Sequence, residues 1–82
     1  MKRLIVFEST HRAIKLERML LNQVEMDMIP TPRAIGASCG LSILFEEQDV
    51  EKVKAILEGE SLEDIRLFRY DYKNAVEISW EE

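Results

Sequence analysis

The run Leu4-Ile5-Val6-Phe7 constrains the fold more than any other part of the chain. Four consecutive β-favouring apolar residues without polar alternation suit a central strand buried on both faces. Such a strand needs a neighbour on either side. The pattern then changes abruptly. Ser9 or Thr10 can cap a helix, because its oxygen accepts from N–H groups that the first turn leaves unpaired. From His11 the apolar period is helical, with Ala13, Leu16, Leu20 and Val24 on one stripe and Met19 beside it. Lys15, Glu17, Arg18 and Asn22 fall away from that stripe.

Met26 to Ile29 reads as a short strand closed by Pro30, which cannot donate to a ladder. Thr31-Pro32 can start a single helical turn from Pro32 to Ile35, ended by Gly36. Leu41 to Phe45 is a second buried strand. Gln48 to Glu58 gives a second helix with Val50, Val53, Ile56 and Leu57 inward and Gly59 at its end. Ile65 to Tyr72 forms a further strand. Lys73-Asn74 then makes a hairpin turn into a half-buried strand in which Val76, Ile78 and Trp80 alternate with Glu77, Ser79 and Glu81.

This order predicts an α+β fold, a ferredoxin-like split β-α-β sandwich (βαββαβ) with an extra C-terminal strand. Residues 1–82 form a single domain, with a core over 3–72 and a strand extension over 73–82. Trp80 on an added edge strand could also meet a second copy, which leaves a homodimer open. Met19, Met26 and Met28 are expected to fill the core.

Composition removes several functions. The net charge is −5, with acidic residues spread along the chain and Lys and Arg richer in the N-terminal half, so nucleic acid is not an expected partner. No apolar run approaches the roughly 18 residues of a membrane span. The N-terminal apolar stretch is only Leu4 to Phe7 and lacks a small-residue cleavage site, so it does not read as a signal peptide. The chain has one cysteine, which cannot form an internal disulfide, and the expected location is cytoplasmic. One cysteine and one histidine do not make a zinc site, and no metal or cofactor is expected.

The one cysteine lies in the long loop after the second strand. In the expected topology the first and second strands run the same way, so their following loops meet at one sheet edge. That gathers Ser9, Thr10, His11 and Arg12 from one loop with Arg33, Ser38 and Cys39 from the other. Helix N-terminal charge, with His11 or Arg33, would then stabilise a thiolate. Gly36 and Gly40 would let a partner approach the sulfur, and Pro30 and Pro32 rigidify the loop. The same position also suits a buried structural thiol, since free cysteine is commonly a small core hydrophobe. His11 equally suits a solvated helix start, and Arg33 a surface charge.

The segments "FESTHRA", "IPTPRAIGASCGLSILF" and "DVEKVKAIL" resemble the selenium/sulfur carrier-like family of small bacterial domains. The likeness runs over about residues 4 to 70 and is most specific at Pro-Thr-Pro-Arg followed by Ser-Cys-Gly. Ala34 stands where the family commonly carries an acid. The resemblance implies a sulfur or selenium atom held on Cys39 as a persulfide or selenosulfide and passed between a donor and an acceptor protein. His11 and Arg33 would support the thiolate, while Ser9, Thr10, Arg12, Pro32, Gly36, Ser38 and Gly40 would frame the binding surface. The competing expectations are a noncatalytic oligomeric binding or regulatory module, a thiol redox protein using Cys39, and an accessory subunit whose cysteine is incidental.

Overall fold

Strand β1 (Lys2–Phe7) lies at the centre of a five-stranded sheet in the computed structural model, which describes residues 1–81. It is flanked by β3 (Leu41–Glu46) and β4 (Ile65–Tyr70), with β2 (Met26–Pro30) and β5 (Ala75–Ile78) at the two edges. The order is β2-β3-β1-β4-β5, and every adjacent pair is antiparallel. Helix α1 (Thr10–Leu20) joins β1 to β2, and α2 (Val50–Ile56) joins β3 to β4. β1 and β2 both pair antiparallel with β3, so they share a direction and end at the same end of the sheet. The fold is α+β.

Alternation along the strands makes two apolar faces. Ile5, Phe7, Ile43, Phe45, Ile65, Leu67 and Ile78 meet Ala13, Leu16 and Leu20 of α1, together with Val50, Val53 and Leu57. Each large side chain buried there contributes about 1.5–3 kcal/mol of transfer free energy. Leu4, Val6, Leu44 and Phe68 form a second buried cluster on the opposite face, packed with Ile29, Ile35, Ala37, Tyr70 and Ala75. No helix residue belongs to that second cluster among the described residues. Its cover includes the loop between β2 and β3, which is why β1 can be buried on both faces in a sheet with helices on only one.

Several boundaries differ from the sequence expectation. Ser9 is the α1 cap, its Oγ accepting from Arg12 N at 3.4 Å. The helix stops at Leu20, because Leu21 turns to ψ 131° and Asn22 takes φ +65°. Val24 is therefore outside the helix, although it still packs against the core. The second helix begins as a 3₁₀ turn over Glu47–Asp49, and no side chain caps α2.

β4 ends at Tyr70 rather than Tyr72, because the Asp71 carboxylate accepts from Lys73 N at 3.0 Å and Asn74 N at 2.7 Å. That side-chain turn places Tyr72 at φ +74° and sets the hairpin. Trp80 lies beyond β5 and packs partly buried against the chain's own helix-side core. Met19, Met26 and Met28 pack partly buried against the same core. Among the described residues no helix is long and apolar enough to cross a membrane.

Candidate functional site

The loop from Thr31 to Gly40 is closed at its base by a Thr31 N–H bond to Gly40 O at 2.9 Å. Pro32 to Ile35 makes one turn, Ile35 N donating to Pro32 O at 3.1 Å, and Gly36 leaves it at φ +65°. Only a residue lacking Cβ takes that left-handed conformation without strain. The Thr31 hydroxyl lies 3.2 Å from Cys39 O and 2.7 Å from Ser42 Oγ. A hydroxyl has one proton, so Thr31 donates to the Cys39 carbonyl and accepts from Ser42. Ser42 is fully buried, and this pairing satisfies it.

Cys39 is 2% exposed and belongs to the helix-side core. Its Sγ lies 3.5 Å from Thr10 Oγ1 in the first turn of α1. Leu41 N donates to the sulfur at 3.4 Å, and the thiol points to Leu41 O at 3.6 Å. Beside it, Ser38 N donates to Glu8 Oε1 at 3.3 Å. The loops after β1 and β2 thus meet at the sheet end, because both strands stop there. The buried sulfur differs from the open thiol that a ready nucleophile presents.

The remaining candidates separate. Arg33, Pro32, Gly36 and Gly40 line a shallow cavity of about 240 Å³ with Thr31, Ala37 and Cys39. Arg33 is itself exposed. A methyl group added at Gly36 or Gly40 would meet no atom within 4 Å, so both glycines border open space. His11 is exposed and lines a different groove on α1 with Ile14, Lys15, Arg18 and Met19. Ser9 serves as the helix cap, and Ser38 is exposed at the loop tip.

Arg12 turns away from the thiol loop. Its Nη1 donates to Glu60 Oε1 at 2.9 Å, its Nε to Asp64 Oδ2 at 2.9 Å, and its Nη2 to the Ser61 carbonyl. Partial burial opposes the Arg12 charge, but the bonds it donates to Glu60 and Asp64 outweigh it and raise its pKa. The hydrogen bond from Arg12, then that from Lys15, holds the Glu60 carboxyl below its usual range. This guanidinium clamps the start of α1 to the segment preceding β4. Its signal in the sequence was only charge, with the carboxylates 48 and 52 residues away.

Glu8, Thr31 and Ser42 escaped sequence reasoning for a similar reason. Glu8 acts through a contact that only the meeting of the two loops creates, whereas Thr31 and Ser42 pair through the closure of the β2–β3 loop. Among the described residues no group of three or more His, Cys, Asp and Glu could hold a metal ion.

Residues 2–69 match the family model described as "Putative Se/S carrier protein-like". No curated protein and no solved structure matches the chain.

Proposed function

The chain belongs to the Se/S carrier protein-like family, and from that membership we propose that it carries a sulfur or selenium atom on Cys39 between a donor and an acceptor protein. The observation that carries this reading is the placement of Cys39 between two loops at one sheet end, beside the first turn of α1 and a small open cavity. We read the interleaved crossovers as the split β-α-β arrangement of a ferredoxin-like sandwich: β3 lies between β1 and β2, and β1 between β3 and β4. Residues 1–82 act as one domain in this reading, and the free thiol suits a reducing cytoplasm.

The transfer needs no outside oxidant. The Cys39 thiolate attacks the terminal sulfur of a donor persulfide, forming a new S–S bond as the donor's S–S bond breaks. The donor leaves as a thiolate and Cys39 becomes the persulfide. An acceptor nucleophile then takes the terminal sulfur, and the electron pair of the breaking bond returns to Cys39 as thiolate. A selenium atom in the terminal position follows the same bookkeeping. Arg33, on the wall of the shared cavity, is the cation available to an incoming anionic persulfide.

Burial of Cys39 favours a second reading, in which the thiol only fills the core. The two are separated by incubating the protein with glutathione persulfide and measuring cyanide-labile sulfur after desalting. A carrier retains about one equivalent per chain, lost in Cys39→Ser. A core thiol retains none until the protein is unfolded.

A further inference from the structure

The segment from Pro32 to Gly40 sits astride the end of the sheet. Ile35 and Ala37 pack with Leu4, Val6, Leu44 and Phe68 on the helix-free face. Cys39, two residues beyond Ala37, packs into the helix-side core instead. Between these two insertions lies exposed Ser38, whose N–H donates to Glu8 Oε1 at 3.3 Å. The other Glu8 oxygen faces Arg66 Nη1 at 3.9 Å. Arg66 in turn pairs with Glu77 at 3.3 Å and lies 5.1 Å over the Phe68 ring. The carboxylate is therefore anchored from β4 and reaches across to hold the loop tip.

Bringing the sulfur to solvent requires the part of the segment between Gly36 and Gly40, which contains Cys39, to swing outward. Gly36 already has φ +65°, and a Cβ at Gly36 or Gly40 would meet no atom within 4 Å, so both positions can take up a backbone change. The Thr31 N–H bond to Gly40 O holds the base of the loop. The loop tip is tied down by the Ser38–Glu8 bond. We propose that Glu8 is a positioning residue, a latch on Ser38 that keeps the neighbouring Cys39 turned into the core and whose release presents the thiol to a partner. The proposal rests on Cys39 being the working thiol. Thiol labelling nevertheless reads the latch without any sulfur transfer.

The test is alkylation of native protein by iodoacetamide at several urea concentrations below the unfolding transition. Wild type, Glu8→Ala and Glu8→Gln are compared, with the pH profile of labelling and the urea stability of each. Local opening gives a labelling rate that low urea barely changes, whereas global unfolding gives one that rises steeply with urea. Loss of one hydrogen bond of ordinary net strength raises the open population roughly fivefold. Glu8→Ala is expected to raise the urea-independent rate by about that factor, while Glu8→Gln, which keeps an acceptor oxygen, stays within about twofold of wild type.

The latch is overturned by an unchanged rate in Glu8→Ala. It is also overturned by equal acceleration in both variants with a shifted pH profile, which marks a charge effect on the thiol, or by labelling that follows global unfolding throughout. The expected labelling pattern in a protein that retains no sulfur would leave the latch standing and remove the carrier reading alone.

Discussion

The Thr10 hydroxyl stands 3.5 Å from the Cys39 sulfur, joining the first turn of α1 to a residue 29 positions further along the chain. This contact exists because β1 and β2 run in the same direction and stop together. Thr10→Val keeps the shape and removes the hydroxyl, and it is expected to lower stability by about 0.5–1 kcal/mol. Thr10→Ser is expected to stay close to wild type. Urea denaturation of both variants checks this, and equal midpoints for Val and Ser would contradict a hydroxyl–sulfur interaction.

Arg12 is a structural clamp in this fold. Arg12→Ala removes a partly buried guanidinium that bonds three partners and is expected to cost about 1–2 kcal/mol, above an isolated surface pair. Arg12→Lys is expected to recover only part of that, since an ammonium cannot span Glu60 and Asp64 as a planar fork does. Neither variant should change Cys39 labelling in dilute urea. A labelling change without a stability change would return Arg12 to the thiol site.

Acid should weaken the protein through two carboxylates. Glu60 is held below its ordinary pKa by the bonds from Arg12 and Lys15, and Asp71 by the backbone N–H groups of Asn74 and Lys73. A lowered folded-state pKa stabilises above the unfolded value, and that contribution disappears as pH falls through the folded value. Stability measured by urea should therefore fall from about pH 5 toward pH 3. Asp71→Asn keeps the side-chain acceptor without the titration, so its loss across that range should be smaller. A stability that rises on acidification would contradict the assignment.

The two loop glycines should behave differently. Gly36→Ala forces a Cβ into φ +65° and is expected to cost about 1 kcal/mol, although no neighbour obstructs it. Gly40→Ala, with open space and no positive φ, should be near neutral. Thermal unfolding of the two variants separates backbone strain from contact. Equal losses would mean that the Gly36 conformation does not constrain the loop.

Much of the framework was legible because it rests on local rules. The Leu4–Phe7 run marked the central strand, Ser9 or Thr10 marked the start of α1, and Pro30 marked the end of a short strand. The meeting of the two loops around Cys39 followed from strand direction alone. What was hidden depends on side chains reaching across the fold. The sequence does not reveal that Cys39 turns inward while Ile35 and Ala37 cover the opposite face, since one short loop serves both. The shortened β4 comes from the Asp71 carboxylate bonding its own turn, which strand-favouring Tyr72 obscured. Arg12 was expected beside the thiol loop, and Glu8 was not singled out, because the distant partners of both show only in the folded chain.

The central claim is that Cys39 holds a transferable chalcogen atom. Its most direct measurement is intact mass under non-reducing conditions after incubation with a cysteine desulfurase and cysteine, beside a Cys39→Ser control. The account predicts one added sulfur atom on the wild-type chain, removed by a reductant and absent from the control. An unmodified wild-type mass, with Cys39 alkylated only once the protein unfolds, would contradict it and make the thiol part of the core.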